Sequence, residues 1–209
     1  MQISLYQLWI PIVVTVLIAL YIVIQQQFRF NDDRTIDEVT VFLRKVDWDE
    51  AQELFDLMRE RYMRLIQSDY HFRRTTRVHI HQAREFFWRM YHNVRVVHEW
   101  ANTELQDIEK GLGDDCPERE RLVIAVAQRA AHFRALATVR LVQLTAWTVF
   151  RIERWPFTRI PSIAAMRKYG EQGELDLLEL YSQLKEAAAD LALTYGKNFH
   201  DEMLDVLLN

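Results

Sequence analysis

An uncharged apolar run near the start of the chain constrains its architecture more than any other feature. Leu8 to Ile24 reads LWIPIVVTVLIALYIVI, seventeen residues without Asp, Glu, Lys or Arg. As an α-helix this run would be about 25 Å long, and the aromatic rings on both flanks suit the edges of a hydrocarbon core about 30 Å thick. We therefore predict a single N-terminal transmembrane helix. Residues 1–30 would form the tail and anchor, and residues 31–209 a separate soluble domain.

Two other interpretations of this run fit less well. A cleaved signal peptide needs a basic residue before the apolar run and a small-x-small cleavage site, and the sequence shows neither. A buried helix of a soluble protein would carry polar residues along one face, whereas only Thr15 and Tyr21 interrupt the apolar side chains here. The transmembrane interpretation is therefore preferred.

The basic residues near the predicted anchor lie on one side of it. Arg29, Arg34, Arg44 and Lys45 follow the apolar run, and no Lys or Arg precedes it. Basic residues close to a transmembrane helix favour the cytoplasmic side, and nearby carboxylates weaken this preference only slightly. We expect a single-pass protein of the inner (cytoplasmic) membrane, with its N-terminus outside and its C-terminal domain in the cytoplasm.

The rest of the chain is dominated by helical periodicity, and it contains few residues that favour turns: the whole sequence has five Gly and four Pro. Capping-box patterns at Thr35–Glu38 and Asp47–Glu50 predict the start of two helices. Further helices are predicted at about 75–110, 117–154, 162–169 and 174–195, with a short one in the tail. The expected fold is all-α: an elongated antiparallel bundle with two long helices of about 36 to 38 residues and no sheet.

The apolar stripes predict how these helices pack. The helix that opens at Asp47 has one stripe, and so has the helix at 75–110, whereas the helix at 117–154 has two and is expected to lie centrally between neighbours. The first of these stripes is Ala51, Leu54, Phe55, Met58, Tyr62, Leu65 and Ile66; the second is Ala83, Phe87, Met90, Val94, Val97, Ala101, Leu105 and Ile108. The two stripes of the central helix are Val126, Ala130, Phe133, Ala137, Leu141, Leu144 and Thr148, and Ile124, Ala131, Ala135, Val142 and Val149.

Charge is distributed unevenly, with basic residues concentrated in the two long helices and acidic residues in the flanking segments. One interpretation is that these parts pack together and neutralise one another. Within the basic part, Arg129, Arg140 and Arg151 are eleven residues apart and form a straight row on a helix. Such a row could bind an anionic partner, either an acidic helix or lipid headgroups, or it could be satisfied by acidic helices of the same chain.

Histidines cluster in the first long helix, where His81, Glu85 and His92 share one side. At the standard helical rise, Glu85 and His92 are more than about 10 Å apart along the helix axis. One metal ion could therefore not bind all three residues, and a metal site here is only a weak candidate. His79 lies on the apolar side and is interpreted as a core histidine. The Glu-x-x-His pairs of di-iron bundles do not occur.

The sequence offers no other recognisable chemistry. Cys116 is the single cysteine, so neither an intrachain disulfide nor a cysteine-based zinc site is possible, and its acidic surroundings would not activate a thiolate. Phosphate-binding and dinucleotide-binding glycine motifs do not occur. No catalytic residue or cofactor is therefore predicted, and the net charge of −4 does not indicate nucleic-acid binding.

These observations favour a structural function over a catalytic one. The leading hypothesis is a membrane-tethered helical scaffold or interaction protein, which presents a long amphipathic surface to a protein partner or to a second copy of itself. One alternative is a helical-bundle enzyme or ligand sensor with a pocket inside the bundle. Another is peripheral binding of anionic lipid through the arginine row.

Overall fold

The computed structural model describes four stretches of the chain: residues 36–111, 117–151, 162–169 and 175–208. Side chains within these stretches are described from Val39 to Asp205. The chain divides into two compact units, Met1–Asp33 and Arg34–Asn209, and every described residue belongs to the second. The predicted transmembrane helix at 8–24 lies outside the described residues.

The described part of the second unit is predominantly α-helical. Its helices are α1 (Ile36–Phe42), α2 (Trp48–Leu54), α3 (Leu57–Ile66), α4 (Asp69–Glu109), α5 (Pro117–Phe150), α6 (Leu177–Leu193) and α7 (Lys197–Leu208). Between α5 and α6 lie a 3-10 helix, Ala164–Arg167, and two short strands, β1 (Lys168–Tyr169) and β2 (Leu175–Asp176). The prediction of a mainly helical bundle is confirmed.

Aspartate side chains cap three of these helices. Asp47, Asp56 and Asp176 each accept a hydrogen bond from a backbone N–H of the following turn, at 3.0, 2.8 and 3.0 Å. Such a cap satisfies a donor that the helix itself leaves unpaired. The cap at Asp56 also divides the segment that was predicted as one helix from Asp47 onward, because it begins a separate helix, α3.

The two longest helices differ in length from the prediction: α4 has 41 residues and α5 has 34. α4 begins at Asp69 rather than Thr75, because no Gly or Pro interrupts the helical pattern between them, and it ends before Gly111, which has a left-handed φ of 69°. α5 ends before the predicted Arg154 because Arg151 adopts a φ of 50°, and a right-handed helix cannot continue through that conformation.

α4 and α5 lie side by side and run in opposite directions. Arg119 near the start of α5 contacts Glu104 near the end of α4 at 2.6 Å. Arg134, farther along α5, contacts His98, which lies earlier in α4, at 2.9 Å. The order of these contacts along the two helices establishes their antiparallel arrangement.

α6 packs against α5 in the opposite direction as well. Tyr195, just after α6, contacts Arg119, and Tyr181 in the first half of α6 packs on Phe133 with 5.6 Å between ring centroids. α4, α5 and α6 therefore alternate in direction. The buried apolar side chains of this unit lie between Val39 and Met203, so the unit has a hydrophobic core of its own.

α5 packs between α4 and α6, as predicted, but the helix on which most other helices pack is α4, which corrects the prediction that α5 is central. α1, α2 and α3 pack on α4 in addition to α5 and α6, and its buried residues therefore occupy more than the predicted stripe. The additional buried side chains of α4 include Phe86, Asn93, Val96 and Trp100. α5 buries one stripe only, which consists of Val123, Val126, Ala130, Phe133, Ala137 and Leu144.

A short hairpin contradicts the expectation that the domain has no sheet. β1 and β2 pair in antiparallel register, Lys168 with Asp176 and Tyr169 with Leu175. The Nε of Arg167 lies 3.0 Å from a carboxylate oxygen of Asp176 and holds the two arms together. The predicted helix at 162–169 is thus limited to one 3-10 turn followed by a strand.

Among the described helices, α5 is long and apolar enough to cross a membrane, by length and composition. A core helix of a soluble bundle passes the same criterion, and the buried stripe of α5 packs on α4 and α6. α5 is a middle helix of the chain rather than the predicted N-terminal anchor. It is therefore weak evidence for a membrane span.

Candidate functional site

The three arginines of the predicted row do not form one free strip. Arg129 donates to a backbone carbonyl of α6 at 3.3 Å. Arg140 donates to the carbonyl of Lys168 at 2.6 Å, and its guanidinium lies 4.0 Å from the centroid of the Tyr169 ring. Arg151 is exposed in the turn that ends α5. Neutral groups of the same chain thus engage two of the three arginines. That the three arginines bind an anionic partner stays a prediction.

Two of the three residues of the weak metal candidate are engaged with other groups. Glu85 pairs with Arg89, with 3.1 Å between Oε1 and Nε. The Nε2 of His92 lies 3.0 Å from the carbonyl oxygen of Phe42, and His81 is exposed. Within the stretches that the structure describes, no group of three His, Cys, Asp or Glu residues is placed to hold a metal ion.

His79, which was interpreted as a core histidine, is partly buried on α4. Burial lowers the pKa of His79, and the nearby Arg59 lowers it further, while Glu60 acts in the opposite direction. Both main causes favour the neutral imidazole. His79 is thus a partly shielded, neutral side chain near pH 7.

A buried amide connects three parts of the domain. Asn93 in α4 is fully buried; its Oδ1 accepts from the backbone N–H of Arg44 at 2.7 Å, and its Nδ2 donates to the carbonyl of Arg44 at 2.8 Å. The second proton of Nδ2 is donated to the hydroxyl of Tyr181 in α6 at 2.9 Å. Asn93 therefore joins α4 to α6 and to the segment between α1 and α2.

A buried lysine lies close to this amide. Lys185 is 4% exposed, and its ammonium is 4.4 Å from the centroid of the Trp48 ring and 5.7 Å from that of Tyr181. Burial lowers the pKa of Lys185, and the neighbouring Glu186 partly opposes the shift. Ring faces offset part of the cost of burying the cation. Nothing in the sequence distinguishes this lysine from an exposed one.

An open cleft borders the same region, with a volume of about 580 Å³. Trp48 and Phe55 of the α2 region form one wall, and Asp176 and Ser182, at the start of α6, form the other. The ion pair between Arg167 and Asp176 lies along its edge. The cleft is at the surface between α2 and α6 and does not correspond to the pocket inside the bundle that the enzyme hypothesis requires.

A second polar cluster joins the ends of α4 and α6 to the start of α5. Trp100 donates through Nε1 to Glu104 at 3.1 Å, and Arg119 contacts Glu104 at 2.6 Å and the hydroxyl of Tyr195. The guanidinium also lies 4.6 Å from the centroid of the Tyr195 ring. Every member is shielded from water in part, so the cluster acts as a structural clamp.

No helix among the described residues covers the outer face of α5. This face lies opposite the buried stripe and comprises Ile124, Gln128, Ala131, Ala135, Val139, Val142, Ala146 and Val149. Ile124, Val139 and Val149 are 37%, 55% and 67% exposed. Between Ile124 and Val149, about 38 Å along the helix, the face contains no charged residue.

The sequence predicted the apolar character of this face but not its exposure. Five of its members formed the second stripe of α5, which was expected to be covered by another helix. Contiguous apolar surface on a soluble domain commonly marks an interaction site. The outer face of α5 is therefore the candidate functional site.

Comparison of the chain with known protein families, with curated proteins and with solved structures finds no match. The candidate site is therefore assigned from its geometry and chemistry.

Proposed function

We propose that this chain is a membrane-tethered helical interaction protein, and that the outer face of α5 binds the same face of a second copy. The observation that supports the proposal is the exposure of an uncharged apolar face along 26 residues of one helix, from Ile124 to Val149. In a monomer this face would remain in contact with water.

The spacing of the face suits another helix. Its members follow one another at intervals of three or four residues, as in the seam of a coiled coil. Ala131, Ala135 and Ala146 are small, so a second helix could approach closely. The partner is expected to fill this long, shallow face with side chains at matching intervals.

The absence of charge from the face favours a second copy as the partner. A two-fold interface brings the same patch of both subunits together, and a charged patch would then repel itself. Between Ile124 and Val149, the arginines of α5 lie to the sides of the face and toward α4 and α6, where Arg134 and Arg140 are already engaged. Arg121, on the same side of the helix as Val139, lies one turn before Ile124. Two copies can therefore meet along this face without bringing like charges together.

The proposed membrane tether would strengthen this association. The uncharged run at 8–24 is the basis for the anchor, and the basic residues that follow it are the basis for a cytoplasmic domain. Copies tethered to one bilayer have a higher effective concentration than copies free in solution. A modest interface would then be sufficient for dimerisation.

The test is the oligomeric state of the full chain in detergent, measured by light scattering or analytical ultracentrifugation. Val139→Glu places a carboxylate in the middle of the face and is expected to convert the dimer to a monomer, because each subunit would bring a charge to the shared interface. Val78→Glu is the matched control, since Val78 in α4 is 54% exposed against 55% for Val139. It is expected to leave the dimer unchanged.

A second measurement locates the contact. With Cys116 replaced by Ser, a single cysteine introduced as Val139→Cys is expected to cross-link two copies upon mild oxidation, whereas Val78→Cys is not. If the unmodified full chain is monomeric at all concentrations, or if both glutamate variants behave alike, the proposal is wrong.

A further inference from the structure

A second exposed apolar surface lies on α3 and the first turn of α4. Met58, Tyr62, Leu65 and Ile66 on α3 are 70%, 62%, 85% and 61% exposed, and Tyr70 on α4 is 71% exposed. The sequence predicts these α3 residues as a core stripe, and the structure shows that this is wrong. Five large apolar side chains are therefore grouped on the outside of the domain.

The orientation of α3 explains their exposure. Glu60, on the opposite side of α3, is 8% exposed and accepts hydrogen bonds from the Ser162 hydroxyl at 3.0 Å and from the Ala164 N–H at 2.9 Å. At 100° per residue, the exposed apolar residues are centred about 175° from Glu60. The polar side of α3 is thus fixed to the domain, and the apolar side faces outward.

Arginines border this apolar side. Arg59 and Arg61 follow Met58 and lie on either side of the apolar arc, and Arg61 is exposed. Arg59 forms an ion pair with Glu53, also at the surface. Between residues 57 and 77 the chain has six arginines and two acidic residues, and one of the two acids, the buried Glu60, pairs with Arg64 at 3.7 Å. The arginines of this segment are Arg59, Arg61, Arg64, Arg73, Arg74 and Arg77.

We infer that α3 and the first turns of α4 form a docking surface for a bilayer that contains anionic lipid. An apolar helical face with tyrosine and with arginine on its flanks matches the boundary between acyl chains and phosphate headgroups. Met58, Leu65 and Ile66 enter this boundary, while the arginine stems extend along it and place their charges at the phosphates.

The same chemistry argues against a second copy as the occupant of this surface. Two copies that met here would bring their arginines together, in contrast to the uncharged outer face of α5. An acidic peptide would satisfy the arginines but does not account for Leu65, which is the most exposed of the five apolar side chains. A bilayer satisfies both features. The proposed anchor would keep a bilayer within reach, although docking depends neither on the anchor nor on the dimer.

The test uses the unit 34–209, which has its own core and lacks the predicted anchor, in co-sedimentation with vesicles. It is expected to bind phosphatidylcholine vesicles that contain phosphatidylglycerol, and to bind vesicles of phosphatidylcholine alone far more weakly. Leu65→Ala should weaken binding about 60-fold, because it removes three apolar carbons from the boundary and each contributes about fourfold. The double variant Arg61→Gln, Arg74→Gln should weaken it about 25-fold, since each arginine near an anionic surface contributes about fivefold.

Leu193→Ala is the control, because Leu193 is an exposed leucine at the end of α6, outside both the docking surface and the outer face of α5. The proposal is overturned if the unit does not bind anionic vesicles, or if neither the leucine variant nor the arginine variant weakens binding. It is equally overturned if polyglutamate binds as strongly as the vesicles and Leu65→Ala has no effect, because that outcome describes a site for an acidic chain. None of these outcomes bears on the oligomeric state, so the two proposals can fail independently.

A measurement on the full chain places the surface in its own membrane. With Cys116 replaced by Ser, an environment-sensitive fluorophore on Leu65→Cys should shift to shorter emission wavelength in reconstituted vesicles with phosphatidylglycerol, relative to phosphatidylcholine alone. The same fluorophore on Val139→Cys should show no dependence on lipid composition. Equal emission from Leu65→Cys in both lipids contradicts the inference.

Discussion

Replacing Asn93 with leucine is expected to destabilise the domain strongly, because Asn93 is buried in α4. The substitution retains a side chain of similar size but removes one acceptor and two donors from a fully buried position. The N–H and the carbonyl of Arg44 and the hydroxyl of Tyr181 then lose their partner. The interactions that disappear are those that connect α4 to α6 and to the segment between α1 and α2.

The magnitude follows from how well each group is shielded. The two bonds to Arg44 are partly buried, so water can replace Asn93 in part, and each is worth about 1 kcal/mol. The Tyr181 hydroxyl is buried, and leaving it without this donor costs about 1–3 kcal/mol. The sum is about 3–5 kcal/mol, against a total stability of about 5–15 kcal/mol for an ordinary domain.

Urea denaturation of the unit 34–209, followed by circular dichroism at the helical minimum, measures this loss. Asn102→Leu is the matched control, since Asn102 is exposed on the same helix and its replacement should change the free energy of unfolding by less than about 0.5 kcal/mol. Amide hydrogen exchange adds a local test, because the N–H of Arg44 should lose protection in the variant. If Asn93→Leu costs no more than Asn102→Leu, or if Arg44 remains protected, the assignment of this amide as a structural connection is refuted.

Three further predictions concern other polar contacts. Glu60→Ala should lower the free energy of unfolding by about 2 kcal/mol, and limited proteolysis should cut the segment before β1 faster, because the carboxylate that holds it to α3 is lost. Arg119→Met should lower the free energy of unfolding by about 2–3 kcal/mol, because it leaves the shielded carboxylate of Glu104 without its cation. In a double-mutant cycle with Glu104→Gln, the losses of the two single variants should not add. Burial and the neighbouring Arg134 hold the pKa of His98 below its ordinary value of about 6.5. The unfolded state therefore binds this proton more tightly than the folded state does. The free energy of unfolding should fall as the pH decreases from about 7 through 6.5 toward the folded pKa. His98→Gln should make this decrease smaller, as measured by thermal unfolding between about pH 7 and pH 5, and an unchanged pH profile would contradict the assignment.

The apolar periodicity identified which side chains prefer to leave water, but it did not identify which of them do. In α4 the predicted stripe from Ala83 to Ala101 is buried, as expected. In α3 the same reasoning failed, since Leu65 is 85% exposed. The arginines that alternate with the apolar residues of α3 were the available signal, because a face bordered by cations on both sides is unsuited to a core.

Buried polar residues were harder to recognise than buried apolar ones. Asn93 and Lys185 carry no sequence pattern that separates them from exposed Asn and Lys. Their burial depends on partners that are distant in the chain: Arg44 and Tyr181 for the amide, and the Trp48 ring for the ammonium. Hydrogen bonds and ring contacts of this kind assemble only when the helices pack.

The sequence alone determined the helical nature of the domain and most helix ends, because side-chain periodicity, aspartate caps and scarce glycine act within a few residues of each other. Which long helix the others cover was decided by the tertiary structure. The stripes on α4 and α5 are both apolar, and only the positions of α1, α2 and α3 make α4 the covered helix. The same positions leave the outer face of α5 and the apolar side of α3 exposed, and these are the two surfaces on which the proposals for this protein depend.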